Sequence, residues 1–303
     1  MSQYSIKDLE TFTGIKAHTI RMWEKRYGVV EPGRTQTNIR TYDDDDLKRL
    51  LNISILNRHG YRISEIMRMS EKEICDRVLQ ITHKSLDTQS QIENLVLAMI
   101  DLDEEYFEKI LTQSIIKIGF EDTVKYLIYP FFERIGVLWQ AGSIIPAQEH
   151  FISNLIRQKL IVAIDSIITP RKDQALTYLL FLPEGEWHEM GLLFTQYLLK
   201  KWGHRVIYLG QHVPLNNLSV PLQRTRVDYI VTQFITGITP EALRESLHLL
   251  ASLYPEHRFL VSGRQLIQFK PVLPPNFELY DSLENFKDLI SRHERLVLNH
   301  LSN

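Results

Sequence analysis

From Ala175 to Tyr280, five apolar runs of strand length (ALTYLLFLP, RVIYLG, VDYIVTQFI, HRFLVSG and FELY) alternate with stretches of helical periodicity such as HEMGLLFTQYLLKKWG and ALRESLHLLASLY. Runs this apolar must be covered on both faces, and a helix between successive strands makes them parallel. The alternation predicts a doubly wound parallel α/β domain over 170–303, with its ligands in the crevice at the carboxyl ends of the strands. No Gly-x-Gly-x-x-Gly follows the first run, which disfavours a dinucleotide site. The segment that does follow it is PEGEWHEMG.

Upstream, helical periodicity runs almost unbroken through IENLVLAMIDLD, EEYFEKILTQSIIKIG, FEDTVKYLIYPFFERIGVLWQAG and PAQEHFISNLIRQKLIVAIDSI. Four such stretches with short breaks read as a four-helix bundle over 91–169, ended by Pro170, Arg171, Lys172 and Asp173. Residues 76–90 become polar toward their end and read as a linker. The lone cysteine, Cys75, excludes an internal disulfide framework and a site of several thiolates, and suits a reducing cytoplasm. MSQYSIKDLE lacks the apolar core of a signal peptide, and no run of 18 apolar residues occurs. A cytoplasmic location without membrane insertion is expected.

The formal net charge of −2 hides an asymmetry: residues 1–70 hold 12 Lys and Arg against 9 Asp and Glu, net +3, which leaves −5 for the remainder. A polyanion partner for the amino-terminal part fits this excess. In that part, Ile6, Leu9 and Phe12 fall at helical spacing between Ser5 and Gly14. A second short helix follows over 17–26, with Ile20 and Trp23 inward and Arg21, Lys25 and Arg26 outward. Two short helices this close make a helix-turn-helix candidate. Next, GVVEPGRTQTNIRTY has turn residues and an alternation that suit a two-stranded wing. The run Asp43 to Asp46 caps the helix LKRLLNISILNRHG in this reading, because carboxylates favour the positive end of a helix dipole.

The string TIRMWEKRYGVVEPGRTQTNIRTYDDDDLKRL resembles the DNA-binding domain of the MerR family, in the order helix, turn, helix, wing, helix. The resemblance implies a winged helix-turn-helix over 1–75 that binds double-stranded promoter DNA. It places His18, Thr19, Arg21, Lys25 and Arg26 on or beside the recognition helix, and Arg34, Arg40 and Tyr42 on the wing. Guanidinium forks suit phosphate oxygens and guanine edges, and a wing tyrosine can donate to a phosphate. Ile20 and Trp23 stay in the core.

After the first strand of the α/β segment, Glu186, His188 and Gly191 form Glu-x-His-x-x-Gly. By itself this is a loop histidine beside a carboxylate. It resembles the Asp/Glu-x-His-x-x-Gly sequence of cobalamin-binding domains, of flavodoxin-like fold, in which the histidine is the lower ligand of cobalt. That resemblance makes His188 the metal ligand, Glu186 its orienting partner, and Gly191 the place where the following helix approaches the corrin. In the bundle, Trp139 is followed after nine residues by Glu149 and His150. Alone, these read as a core tryptophan and an exposed helix start after Pro146. Together they resemble the Trp-x9-Glu-His signature of the helical cap in the light-responsive CarH and LitR family, where the three cover the upper face of adenosylcobalamin.

Two positions depart from the cobalamin pattern. Gln233 stands where a small serine is usual, and Ser262-Gly263 where Gly-Gly is usual, so Gln233 and Ser262 put larger side chains beside Gly263 where the resemblance implies a buried nucleotide tail. Gln140 stands where light-sensing relatives carry a second cobalt-binding histidine. The family likeness implies a repressor, not an enzyme, acting as a homo-oligomer (dimer or tetramer) on carotenoid-type genes and assembled by adenosylcobalamin in the dark. Two alternatives stand beside it: the same regulator with a cobalamin-independent sensor or partner-binding domain, and a corrinoid carrier subunit of an enzyme.

Overall fold

The computed structural model describes residues 3–35, 38–84, 88–140 and 144–301. The chain divides into two compact units, Met1–Ile156 and Arg157–Asn303.

In the first unit, α1 (Ile6–Thr13) and α2 (Ala17–Tyr27) are joined by a turn at Gly14. Ser5 and Asp8 form a reciprocal capping box at the start of α1, and Gly14 ends it at φ +71°, a conformation glycine adopts without strain. The antiparallel wing pairs β1 (Gly33–Arg34) with β2 (Arg40–Thr41). Asp43 then caps α3 (Asp44–Arg58), accepting from the N–H groups of Asp45 and Asp46 while Asp46 accepts from its own. The acidic run is therefore a helix start, as expected. Leu9, Phe12, Ile20, Trp23, Leu47 and Leu50 bury the apolar faces of these helices against one another.

A short α4 (Ile63–Ile66) leads to α5 (Glu71–Lys84), so the stretch 76–90 expected as a linker is helical as far as Lys84. The bundle follows with α6 (Thr88–Asp101), α7 (Glu104–Ile118), α8 (Phe120–Thr123), a π-turn over Val124–Ile128, α9 (Tyr129–Gln140) and α10 (Pro146–Asp165). The π-turn ends two residues before Pro130, whose ring in a regular helix would meet the carbonyl of Tyr126. Helix α6 is buried from Ser90 to Ile100 on all sides, and on one of them it meets α3. Arg58 of α3 makes a two-pronged ion pair with the fully buried Glu93 of α6, at 2.7 and 2.5 Å. Arg134 of α9 donates to the carbonyl of Thr11 at the end of α1.

The second unit takes up the rest of α10 and continues through β3 (Thr177–Pro183), α11 (Met190–Lys201), β4 (Arg205–Val213), α12 (Ser219–Arg224), β5 (Tyr229–Gln233), α13 (Pro240–Leu253), β6 (Arg258–Ser262), α14 (Arg264–Phe269), β7 (Phe277–Leu279) and α15 (Leu283–Leu301). All five strands are parallel, in the order β4-β3-β5-β6-β7. This is the doubly wound arrangement read from the alternation, in its flavodoxin-like order. Alternate strand residues face opposite layers. Leu179, Phe181, Ile230 and Phe259 pack with Leu243, Leu247 and Leu250 of α13 on one side. Tyr178 stacks on Tyr229, and Tyr229 in turn on His293 of α15, on the other. The strand order reverses between β3 and β5, so the crevice where ligands bind in such sheets opens after Pro183 and Gln233.

Candidate functional site

The first candidate site is the exposed face of α2. His18, Arg21, Lys25 and Arg26 lie exposed, three, four, seven and eight residues apart along one side of the helix, while Ile20 and Trp23 are buried beneath it. Met22, 51% exposed, belongs to the same face, although methionine is ordinarily a core residue. Thr19 is half-buried at the helix start, and Arg34 is exposed on the wing, donating to Asn38 at 2.6 Å. Arg40 lies 3.3 Å from the Glu24 carboxylate of α2.

Tyr42 is 1% exposed, and its hydroxyl donates to Glu24 at 2.5 Å, which ties the wing to α2. Its phenol pKa is raised, by burial first and by the Glu24 carboxylate next, which keeps it a donor. Glu24, unremarked in the sequence, thus holds Arg40 and Tyr42 with one carboxylate.

The second candidate site lies at the sheet's switch point. The loop after β3 places Glu186, 5% exposed, where it accepts from the N–H groups of Ile235 and Thr236 (2.7 and 2.6 Å), from the Thr236 hydroxyl (2.8 Å) and from the N–H of His188 (3.0 Å). The His188 side chain is 60% exposed, with Nδ1 2.7 Å from Glu186 Oε1 and 3.1 Å from Thr236 Oγ1. Burial would raise the Glu186 carboxyl, but the His188 ring and three backbone N–H groups outweigh it and hold the pKa down to about 2. An ionised Glu186 fixes the His188 proton on Nδ1, which puts the ring's lone pair on Nε2. The next residue, Glu189, is 6% exposed and receives Arg157 of α10 and the Tyr208 hydroxyl, the latter at 2.8 Å. Trp187 lies 57% exposed beside His188, stacked on His212 at 4.5 Å. The role of Thr236 was not visible in the sequence, because only the strand order brings it 48 residues back to His188.

Gly191 opens α11 opposite Gln233 at the end of β5, and a Cβ there would lie 2.6 Å from Gln233 Oε1. Ser262 pairs in register with Gln233. Gly263, at φ +120°, approaches so closely that a Cβ would meet the Phe234 carbonyl oxygen at 2.3 Å, so backbone packing already demands glycine there. At the start of α10, Glu149 and His150 pair with each other (2.9 Å), with the His150 side chain 71% exposed. The side chains of Trp139 and Gln140 lie outside the described residues. Among the described residues, no group of three or more His, Cys, Asp and Glu could hold a metal ion, and no helix is long and apolar enough to cross a membrane.

A cationic helix-turn-helix face with a wing, joined to a helical bundle and a parallel sheet bearing a carboxylate-held histidine, defines a class: DNA-binding proteins with a ligand-binding module. Two family models match in that order, the MerR HTH family regulatory protein over residues 4–73 and the B12 binding domain over residues 91–163. The chain carries a MerR-type DNA-binding domain followed by a B12-binding domain and is homologous to two transcriptional repressors of Myxococcus xanthus. It is 28% identical to the HTH-type transcriptional repressor CarH over 260 residues, 83% of this chain and 85% of that protein. It is 26% identical to the repressor CarA over 239 residues, 78% of each. The monomethylamine corrinoid protein of Methanosarcina barkeri matches 67% of this chain and 99% of its own at a TM-score of 0.51 and 14% identity, a likeness of fold alone.

Proposed function

We propose that the chain is a transcriptional repressor whose grip on promoter DNA is controlled by a corrinoid held through His188. The observation that carries this reading is the set Glu186, His188 and Thr236 at the switch point of the sheet. A single imidazole, held at Nδ1 by a buried carboxylate, would suit a corrinoid, whose cobalt would need only one ligand from the protein. The corrinoid, in this reading, supplies a cobalt centre with a light-cleavable upper bond when adenosylcobalamin is bound. Everything else is done by the chain. Glu186 holds the ring of His188, Arg157 and Tyr208 hold Glu189 and with it the loop, and Trp187 offers an aromatic surface beside the ligand position.

At the other end, the exposed cations of α2, with Arg34 on the wing, meet DNA, and Glu24 keeps wing and helix at a fixed spacing. One such head reads a short half-site, so a dimer or tetramer on paired half-sites is part of the proposal. Trp139, Glu149 and His150 are proposed to face the upper side of the corrinoid, on family resemblance, and carotenoid-type genes are the proposed targets on the same ground. Homology to repressors favours a regulator over an enzyme subunit.

The test is the absorption spectrum of protein mixed with adenosylcobalamin in the dark and desalted, beside a His188→Ala variant. Retained corrinoid with a spectrum that depends on His188 supports the reading; a wild-type protein left colourless by both adenosylcobalamin and adenosylcobinamide refutes it.

A further inference from the structure

The gap between the start of α11 and the end of β5 is filled by a side chain of the chain itself. Gln233 ends β5 on the α11 side of the sheet and is 5% exposed. Its Nε2 donates to the Tyr280 hydroxyl at 3.1 Å and to Thr195 Oγ1 of α11 at 3.5 Å. Its Oε1 is shielded from solvent, has no hydrogen-bond donor among the described residues, and points at Gly191, where even a Cβ would come within 2.6 Å. A buried amide oxygen without a donor is an unfavourable arrangement, so packing rather than a complete set of hydrogen bonds keeps the amide there. Gly191 lies three residues after His188, which puts this gap directly behind the loop that carries the proposed cobalt ligand.

A cobalamin whose cobalt is taken by a protein histidine has released its own nucleotide base, and the released tail hangs from the face of the ring that meets that histidine. Behind the His188 loop, the space beside Gly191 is filled by Gln233. We infer that Gln233 is a gate that sets which corrinoids the site accepts: its amide must leave Tyr280 and Thr195 before a nucleotide tail can enter, whereas a corrinoid without a tail leaves it in place. The inference rests on the corrinoid reading given above. It makes Gln233 a specificity determinant rather than a ligand.

The experiment compares adenosylcobalamin with adenosylcobinamide, which has the same ring and upper ligand and no nucleotide, by spectral titration of full-length protein in the dark. Three proteins are titrated: wild type, Gln233→Ser, which opens the gap, and Gln233→Met, which keeps it filled without the amide. The gate predicts that Gln233→Ser binds adenosylcobalamin about tenfold to a hundredfold more tightly than wild type does, the range that relief of a crowded packed site supplies. Affinity for adenosylcobinamide stays the same in both, and Gln233→Met behaves as wild type. Equal affinity of wild type and Gln233→Ser for adenosylcobalamin would overturn the gate while leaving the corrinoid reading standing. Failure of all three proteins to bind either corrinoid would overturn that reading, and the gate with it. Circular dichroism of the variants checks that the α/β unit is intact.

Discussion

At the residue scale, two carboxylates organise the two sites, each by gathering donors from segments far apart in sequence. Glu186 accepts from the loop after β3 and the loop after β5, and so holds His188. Gln would keep the shape but remove the charge that orients the imidazole. We expect Glu186→Gln to weaken corrinoid binding by about tenfold to a hundredfold, the usual cost of losing a partner of a metal-ligating histidine, measured by spectral titration. Glu24 does the corresponding work in the DNA-binding head. Because Tyr42 is buried on Glu24, Tyr42→Phe is expected to lower stability by about 0.5 to 1.5 kcal/mol with no change in the salt dependence of DNA binding. Arg21→Ala is expected to do the reverse, reducing the slope of log affinity against log salt by about 1. A changed slope in Tyr42→Phe would return that residue to the interface. The sequence disclosed Glu186, His188 and Gly191 because they form one local motif, and it disclosed the cationic face because helical spacing is local too. Thr236, Tyr280 and Glu24 stayed hidden, since their roles arise from strand order and from packing between elements.

At the scale of elements, the contact between α3 and α6 shows what periodicity alone leaves out. The apolar spacing of IENLVLAMIDLD signalled a helix and a bundle, but Glu93 inside it reads as a surface residue until Arg58 is placed opposite. With its carboxylate fully buried, Glu93 needs that partner, and burial raises its pKa against the lowering by Arg58. Arg58→Met would leave the charge without its counter-ion. We expect a destabilisation of about 3 kcal/mol, read from urea denaturation, and partial recovery in the double variant Arg58→Met/Glu93→Gln, which removes the buried charge. A single variant as stable as wild type would contradict this account of the α3–α6 contact. The bundle's other irregularity was not read from periodicity: FEDTVKYLIYPFFERIGVLWQAG runs on as one helix, whereas a π-turn over Val124–Ile128 interrupts it ahead of Pro130.

At the scale of the whole molecule, the division into a DNA-binding head, a helical bundle and a parallel sheet was legible because each has its own period or motif, and the match of two family models follows the same order. The boundary was less legible. A compact-unit division falls within α10, whose continuous helix gave the sequence no break at Ile156. The second unit also has a pH dependence that no motif announced. His204 and His293 are buried at the base of the sheet, beside Glu294 and Glu278 and next to Tyr178, Tyr229, Lys172 and Arg258. Burial lowers both histidines, His204 from 6.5 to about 4, although the neighbouring carboxylates oppose the shift. Between these values the unfolded chain binds more protons than the folded one, so stability falls as pH drops from about 6.5 toward 4. A loss on the order of 2 kcal/mol across that window is expected in urea melts, and His204→Gln is expected to reduce it.

In the proposed function, a corrinoid at His188 changes how the amino-terminal head holds DNA. The direct measurement is affinity for DNA selected by the protein from a random pool, in the dark, with and without adenosylcobalamin, for wild type and His188→Ala. We expect a change of at least about tenfold in wild type and none in the variant, a coupling of about 1.4 kcal/mol or more. Wild-type protein that binds the corrinoid yet holds its DNA with unchanged affinity would contradict it.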